Sequence, residues 1–327
     1  MFFALTEDQQ EFGAAVRGYL AERFDLAAVR GVVEDTDGDG NPATLWKAAG
    51  EQGWLAVTVP EEFEGLGLGL VEAQVIARAL GAGVAPGPWR GTVLAAEAIR
   101  LAGTDEQKAT WLPRLAAGAA VGALAGDRTL AAVEYGAIAD VVVTPDGLLV
   151  TGASSTPRGS YDGTARLADL TGGTVEELAA APEIRSRAAV LVAADLVGIA
   201  REALTRTVAY DRERRQFGVP VGSFQSIKHT LADLHCTITM AEHAALYAAH
   251  AVEVGAEDAA LAVAVAKAKA GDAAVASTGA MIQYHGGIGY TWEHEAHLFY
   301  KRAKRLAGQW GDSGTHRARI AELTMGG

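Results

Sequence analysis

The sequence predicts a mainly α-helical protein with a small β insert, and three observations carry that prediction. The 50% apolar content is supplied largely by Ala, Val and Leu, with only 7% aromatic residues, a mix that favours long helices over β-sandwiches. Apolar residues recur at helical spacing in both end regions, as at Phe12, Val16 and Leu20. Between about 119 and 182 the texture changes to short apolar runs around Gly- and Pro-containing turns. The 327 residues suit roughly two packed units of about 150 residues each, enough to bury a core without disulfides or metals.

Residues 1–118 read as an N-terminal helical domain. Thr6 with Gln9 forms a capping box for the first helix. A loop follows over Asp35–Asn41, Trp46 opens a helix ending near Gly53, Pro60–Gly69 is a second loop, and Leu70–Leu80 is a third helix. Thr104-Asp105-Glu106-Gln107 caps a short fourth.

Residues 119–182 read as a middle β domain. Val141–Val143 and Leu148–Val150 flank Pro145-Asp146-Gly147, which is a β-hairpin pattern. From 183 to 327 the chain is helical again: Ile184 to about Arg212, Ser223 to about Val254, Glu257 to about Tyr284, Tyr290–Arg305 and Thr315–Leu323. The first of these would span about 43 Å at 1.5 Å per residue. The Ala-rich stretch Ala259–Ala270 suits a tightly packed bundle helix.

A net charge of −12 argues against a nucleic-acid or anionic-membrane surface, since both need clustered Lys and Arg. The lone Cys236 excludes an intrachain disulfide and suits a reducing, cytoplasmic setting; mid-helix among apolar neighbours, it reads as a packed small side chain. Met1–Leu5 has no basic flank and runs into Thr6-Glu7-Asp8, so no signal peptide is expected. The apolar Leu261–Ala266 is followed at once by Lys267 and Lys269, so no membrane span is expected.

Several motif fragments lack their context. Asp35-x-Asp37-x-Asp39-Gly40 begins like an EF-hand loop, but position twelve is Trp46 instead of a bidentate Glu, so the loop reads as a solvated turn. Gly65-x-Gly67-x-Gly69 has no preceding strand and no following acid at dinucleotide spacing. Gly311-Asp312-Ser313-Gly314 sits among helices, not on a protease β-barrel. His294 and His297 are three apart, not the four of a zincin helix, and no metal is expected.

Two segments are harder to explain as packing. Arg212-Glu213-Arg214-Arg215-Gln216-Phe217-Gly218, followed by Phe224-Gln225, places guanidinium forks and amides at a helix end, where they suit a phosphate or merely complement the helix dipole. Gln283-Tyr284-His285-Gly286-Gly287-Ile288-Gly289-Tyr290 carries three glycines within four positions, and a plain C-cap needs one. Together with Leu231-Ala232-Asp233, Glu51-Gln52-Gly53-Trp54-Leu55, Val59–Gly67, Gly103–Lys108 and Trp111-Leu112-Pro113, these segments make the chain resemble the acyl-CoA dehydrogenase family over nearly its whole length.

The resemblance implies an N-terminal helical domain, a middle β domain (here truncated) and a C-terminal four-helix bundle. It implies FAD as cofactor, with Arg214, Gln216, Phe217, Gln225, Gln283, Gly286, Gly287 and Gly289 gripping the adenosine diphosphate half of a flavin across a subunit interface. It also implies α,β-dehydrogenation of an acyl-CoA thioester, in which a carboxylate removes the α-proton while the β-hydrogen leaves as hydride. The family's expected electron acceptor is electron-transferring flavoprotein.

The chain departs from the family where the chemistry sits. The family's Tyr-Glu-Gly-Thr base falls on Ser313 and its alternative on Ala188; Asp312 is the only nearby carboxylate, one residue out of place. The family's Thr-Glu-Pro-like loop and Trp-x-Thr segment do not occur between Val121 and Pro182. The expectation is therefore a subunit of a heteromeric dehydrogenase, resembling the short subunits of α2β2 actinobacterial steroid-catabolic enzymes, with a partner subunit supplying the catalytic Glu. The alternatives are a self-sufficient homomer using Asp312 and a flavin-free scaffold subunit.

Overall fold

The computed structural model describes residues 4–178 and 183–326. The reading placed on Met1–Phe3 and the expected domain boundary at 182 lie outside these residues. The chain is mainly helical, with a small β insert between a helix ending at Ala116 and one starting at Glu183, and it divides into two compact units.

The first unit takes the chain up to Leu26, Gln74–Ala85 and everything from Ala189 onward. It opens with α1 (Glu7–Arg23), whose N-cap Thr6 makes both bonds of the expected capping box with Gln9. Helices α4 (Leu70–Ala82) and α7 (Glu183–Glu213) approach through glycines. A Cβ at Gly81 would lie 2.2 Å from the Asp195 carbonyl, and one at Gly198 would lie 2.0 Å from that of Arg78. Only glycine allows the backbones this close.

The bundle is completed by α8 (Gln225–Glu253), α9 (Ala259–His285), α10 (Ala296–Gly308) and α11 (Ser313–Met325). Helix α9 packs on α8, α10 and α11, and its Ala-rich surface is buried on most sides. Arg302 of α10 forks onto Asp195 of α7, at 2.7 and 3.2 Å, and donates to the Ala85 carbonyl at 2.9 Å.

The second unit comprises Ala27–Ala73 and Pro86–Ala188. Helix α3 (Ala43–Glu51) starts after Pro42, earlier than the Trp46 the sequence suggested. Trp46 is an inner residue whose indole donates to the Gly118 carbonyl. Helices α2 (Leu26–Glu34) and α5 (Trp89–Ala102) have no counterpart in the sequence reading. Residues of α5 from Trp89 to Ile99 are almost all buried, which erases the one-sided pattern that marks a surface helix. Helix α6 (Asp105–Ala116) has the expected Thr104–Gln107 capping box.

The β insert forms two small sheets, one of β1 (Gly122–Leu124), β3 (Val141–Val143), β4 (Leu148–Thr151) and β7 (Thr174–Glu177) in that order, the other of β2 (Val133–Glu134), β6 (Leu167–Thr171) and β5 (Ser154–Arg158) in that order. Strands β3 (Val141–Val143) and β4 (Leu148–Thr151) form the expected hairpin, with Val142 opposite Val150 and Gly147 at φ 87° in the turn. Ala123, Leu130, Val133, Val142, Val150 and Leu170 build its core. The Asp35–Gly40 loop is closed by protein groups: Asp35 accepts from the Gly38 amide, and Arg166 donates to the carbonyls of Gly38, Val32 and Asp35. Among the described residues, no helix is long and apolar enough to cross a membrane.

Two further readings are corrected. Helix α10 starts at Ala296 and not at Tyr290, because Gly286–Tyr290 forms a 3-10 turn and bends follow it. Cys236 is exposed on α8, not packed; the opposite face of that helix, through Leu234, Ile238 and Ala241, is the buried one.

Candidate functional site

Both segments that resisted a packing explanation lie in the first unit. Helix α7 ends at Glu213 and the chain turns into a two-residue hairpin, β8 (Arg215–Gln216) against β9 (Val219–Pro220). Its tip is Phe217 at φ 53° and Gly218 at φ 81°. Two successive left-handed residues match the twist of a tight hairpin. An aromatic residue there is unfavourable unless something requires it. Phe217 is 93% exposed and touches Phe224 edge-on, with ring centroids 6.2 Å apart.

The guanidinium of Arg214 and the side-chain amides of Gln225 and Gln283 have no partner among the described residues, and all three residues are exposed. Gln216 only folds back onto the Arg215 carbonyl. Helix α8 begins after Phe224 without a side-chain cap and without an acid in its first turn, which leaves a positive dipole end open.

Helix α9 ends at the second segment. Gly286 has φ 64°, and a Cβ at Gly286 or Gly287 would meet nothing within 4 Å. Gly289 differs: it is buried, and its Cβ would lie 2.6 Å from the Ile282 carbonyl, so packing alone requires glycine there.

A stack joins the two segments. The Tyr210 ring of α7 lies 4.3 Å from His285 at the end of α9, and His285 lies 4.5 Å from His294. The Nδ1 of His285 donates to the Met281 carbonyl at 2.7 Å, and burial lowers its pKa. The ring is thus a neutral, fixed spacer. The stack brings the hairpin and the glycine turn to one edge of the bundle.

The family's base positions are engaged otherwise. Asp312 is the N-cap of α11, accepting from the Thr315 amide and hydroxyl at 2.8 Å each. These bonds hold its carboxyl below the usual range, the opposite of what a proton acceptor poised near neutrality requires. Ser313 donates to the Ala268 carbonyl at 3.2 Å. Ala188 is fully buried, beside the Arg187–Glu97 ion pair at 2.7 Å.

Three groups passed over in the sequence also matter. Lys267, 1% exposed, donates to the carbonyls of Ala307 and Gly311 at 3.0 and 2.9 Å, and burial depresses its pKa to about 8. His316 contacts the Trp310 carbonyl at 2.9 Å. Asp211, 1% exposed, has neither carboxylate oxygen bonded, and burial raises its pKa to about 6. A lysine amid the apolar run of α9 was the available signal. Asp211 sits next to the Arg cluster and gave none.

Residues 6–119 match the family description for the acyl-CoA dehydrogenase N-terminal domain, and residues 185–325 match that for the C-terminal domain. This chain belongs to the acyl-CoA dehydrogenase family. The acyl-CoA dehydrogenase IpdE2 of Mycobacterium tuberculosis is 38% identical over 91% of both chains. The acyl-CoA dehydrogenase FadE34 of the same organism is 33% identical, covering all of this chain but only 49% of its own. Among solved structures, a variant of the Tcur3481–Tcur3483 steroid acyl-CoA dehydrogenase superimposes with TM-score 0.89, at 28% identity over 98% of both chains. The family's mainly helical fold, with its small middle β region, is the fold of this chain.

Proposed function

We propose that this chain is a subunit of a heteromeric, FAD-dependent acyl-CoA dehydrogenase, completing a flavin site that a partner subunit shares. The carrying observation is a contrast within one unit. The flavin-type segment faces outward with Arg214 unpartnered and Phe217 93% exposed, while Asp312 and Ser313 are engaged in holding α11. A self-sufficient enzyme would need a free carboxylate at its base position.

The residues present fit the diphosphate end of FAD. Arg214 offers a fork for phosphate oxygens, the uncapped start of α8 offers amides, and the open space over Gly286 and Gly287 allows backbone to approach a ligand closely. Gln216, Gln225 and Gln283 supply amide groups for hydroxyl or phosphate oxygens, and Phe217 supplies a flat apolar face. Gly289 shapes the turn from beneath. These residues would hold FAD by its diphosphate end, and the flavin would supply the two-electron acceptor for the dehydrogenation. The α-proton is removed by a carboxylate of the partner, since none of this chain's base positions offers one.

The comparisons support a paired assembly in two ways. The 28%-identical structure carries a double designation, Tcur3481–Tcur3483, and is a steroid enzyme. FadE34 is about twice the aligned length, as a fused pair would be. We therefore assign the substrate to acyl-CoA thioesters of steroid-derived or similar bulky acids, with electron-transferring flavoprotein as the electron acceptor and the cytoplasm as the setting.

Flavin stoichiometry tests the reading. The chain purified alone should carry little FAD, and co-expression with its partner should give one tightly held flavin per pair together with dehydrogenase activity. A full flavin load and activity from this chain alone would overturn it.

A further inference from the structure

A cleft of about 340 Å³ opens in the first unit, and no residue of the hairpin or the glycine turn lines it. Leu20 and Phe24 from the end of α1, with Ala79 and Ala82 of α4, give it an apolar floor, and the first three are buried. Helices α1 and α4 run side by side in the same direction. A Cβ at Gly13 would lie 2.7 Å from Val75, and one at Gly83 would lie 3.1 Å from Leu20. Arg17, which lines the cleft, therefore stands level with Ala79 and beside Arg78. Neither guanidinium has a hydrogen bond or an ion pair among the described residues, although Arg78 is half-buried. Glu242, the acid that attracts Arg78, is already forked by Arg201 at 2.6 and 3.0 Å. Burial depresses the Arg78 pKa, and the Arg17 and Arg201 charges press in the same direction.

Two like charges without a counter-ion thus meet at one end of the cleft, in a chain whose net charge is −12. An oxyanion between them replaces their repulsion by charge-assisted contacts. The other charged groups of the lining are satisfied: Arg206 holds Glu202 at 2.7 Å and Glu295 at 3.0 Å, and Asp25 is engaged elsewhere. The C-terminal ends of α1 and α4, which disfavour an anion, lie at the other end of the cleft beside the apolar floor. Charge at one end and hydrocarbon along the rest select an amphipathic anion. We propose that this cleft binds an apolar carboxylic acid, its carboxylate between Arg17 and Arg78 and its hydrocarbon body over Leu20, Phe24, Ala79 and Ala82. The volume lies at the small end of the ~300–1,000 Å³ of ligand pockets. A thioester of the same acid has no carboxylate to offer, so the site distinguishes the free acid from its activated form. The proposal rests on these residues alone and not on the heteromeric reading.

Octanoate, titrated calorimetrically into the purified full chain, tests the site and should bind saturably. Octanol has the body without the charge and inorganic phosphate the charge without the body; each should bind at least about tenfold more weakly. Arg17→Ala should lower the octanoate affinity about 10- to 150-fold, the range of one charge-assisted contact. Ala21→Trp places an indole at an exposed lining position, fills the cleft and should abolish binding with the helical circular dichroism signal unchanged. Arg78→Gln breaks no bond and relieves a repulsion, so the ligand-free chain should melt no lower than wild type. Octanoate should raise the melting temperature of wild type and not that of this variant. No saturable binding at millimolar octanoate would overturn the proposal. So would equal affinity for octanol, or octanoate binding left unchanged by both Arg17→Ala and Ala21→Trp. Flavin content is measured on the same samples and reports separately on the heteromeric reading.

Discussion

The ammonium of Lys267 lies 2.9 Å from the carbonyl of Gly311 and 3.0 Å from that of Ala307. It sits beneath the loop that leads to Ser313, the position that the family resemblance would give to the base. The Ala307 carbonyl in the last turn of α10 and the Gly311 carbonyl beyond the helix thus receive one buried cation, which also complements the helix dipole. Burial sets the folded pKa of Lys267 at about 8, below the ordinary 10.5. Between those values the unfolded chain binds the extra proton, so the Lys267 contribution makes stability rise as pH climbs from about 8 to about 10.5. Lys267→Met removes that rise and leaves both carbonyls unpaired, at a cost of about 1–3 kcal/mol. Urea unfolding of both proteins across pH 7–11 checks both expectations.

Asp211 has the opposite sign. Its folded pKa is raised to about 6 from 3.8, so the folded chain holds the proton more tightly. Its contribution is most favourable below about pH 4, and it is lost as pH rises through 6. Asp211→Asn should then stabilise the free chain above pH 6 by on the order of 1 kcal/mol, since an unpaired buried charge costs more than an unpaired amide. The difference should vanish near pH 4. Paired melting curves at pH 4 and pH 7.5 measure it.

These two residues also mark how far the sequence could be read. Capping boxes at Thr6 and Thr104, the hairpin around Gly147 and the long bundle helices rest on local signals and were legible. Helix α5 was not, because burial on nearly all faces removes its periodicity. The two segments proposed to hold a flavin stood out in the sequence because packing does not account for Arg214 or for Gly286–Gly287. The environments of Lys267 and Asp211 depend on contacts across the fold, with Lys267 reaching 44 residues along the chain to Gly311, whereas the Asp312 cap is a local bond to Thr315. No local pattern specifies such contacts.

Arg302 and Asp195 form a bidentate pair buried in the first unit, with side chains 7% and 4% exposed. Removing one partner strands the other charge in a site that water cannot reach. Arg302→Met or Asp195→Ala should each cost about 3–5 kcal/mol. The double replacement Arg302→Met/Asp195→Leu should recover part of the loss, as both charges are then gone. A double-mutant cycle by chemical denaturation gives the coupling; purely additive losses would mean that the pair does not act as a unit.

The hairpin gives the sharpest separation of binding from stability. Arg214 has no partner within the described residues, so Arg214→Ala should leave the melting temperature of the free chain within about a degree, as surface changes without contacts do. In the proposed assembly the same change would remove a charge-assisted contact to the flavin diphosphate. A loss of about 1.5–3 kcal/mol is expected, or about 10- to 150-fold in FAD affinity. Arg214→Lys keeps the charge without the planar fork and should fall between the two. Apoenzyme titration with FAD, followed by flavin fluorescence, measures all three. A hairpin that serves only to end α7 would give three identical affinities, because the dipole at that helix end does not touch the cofactor.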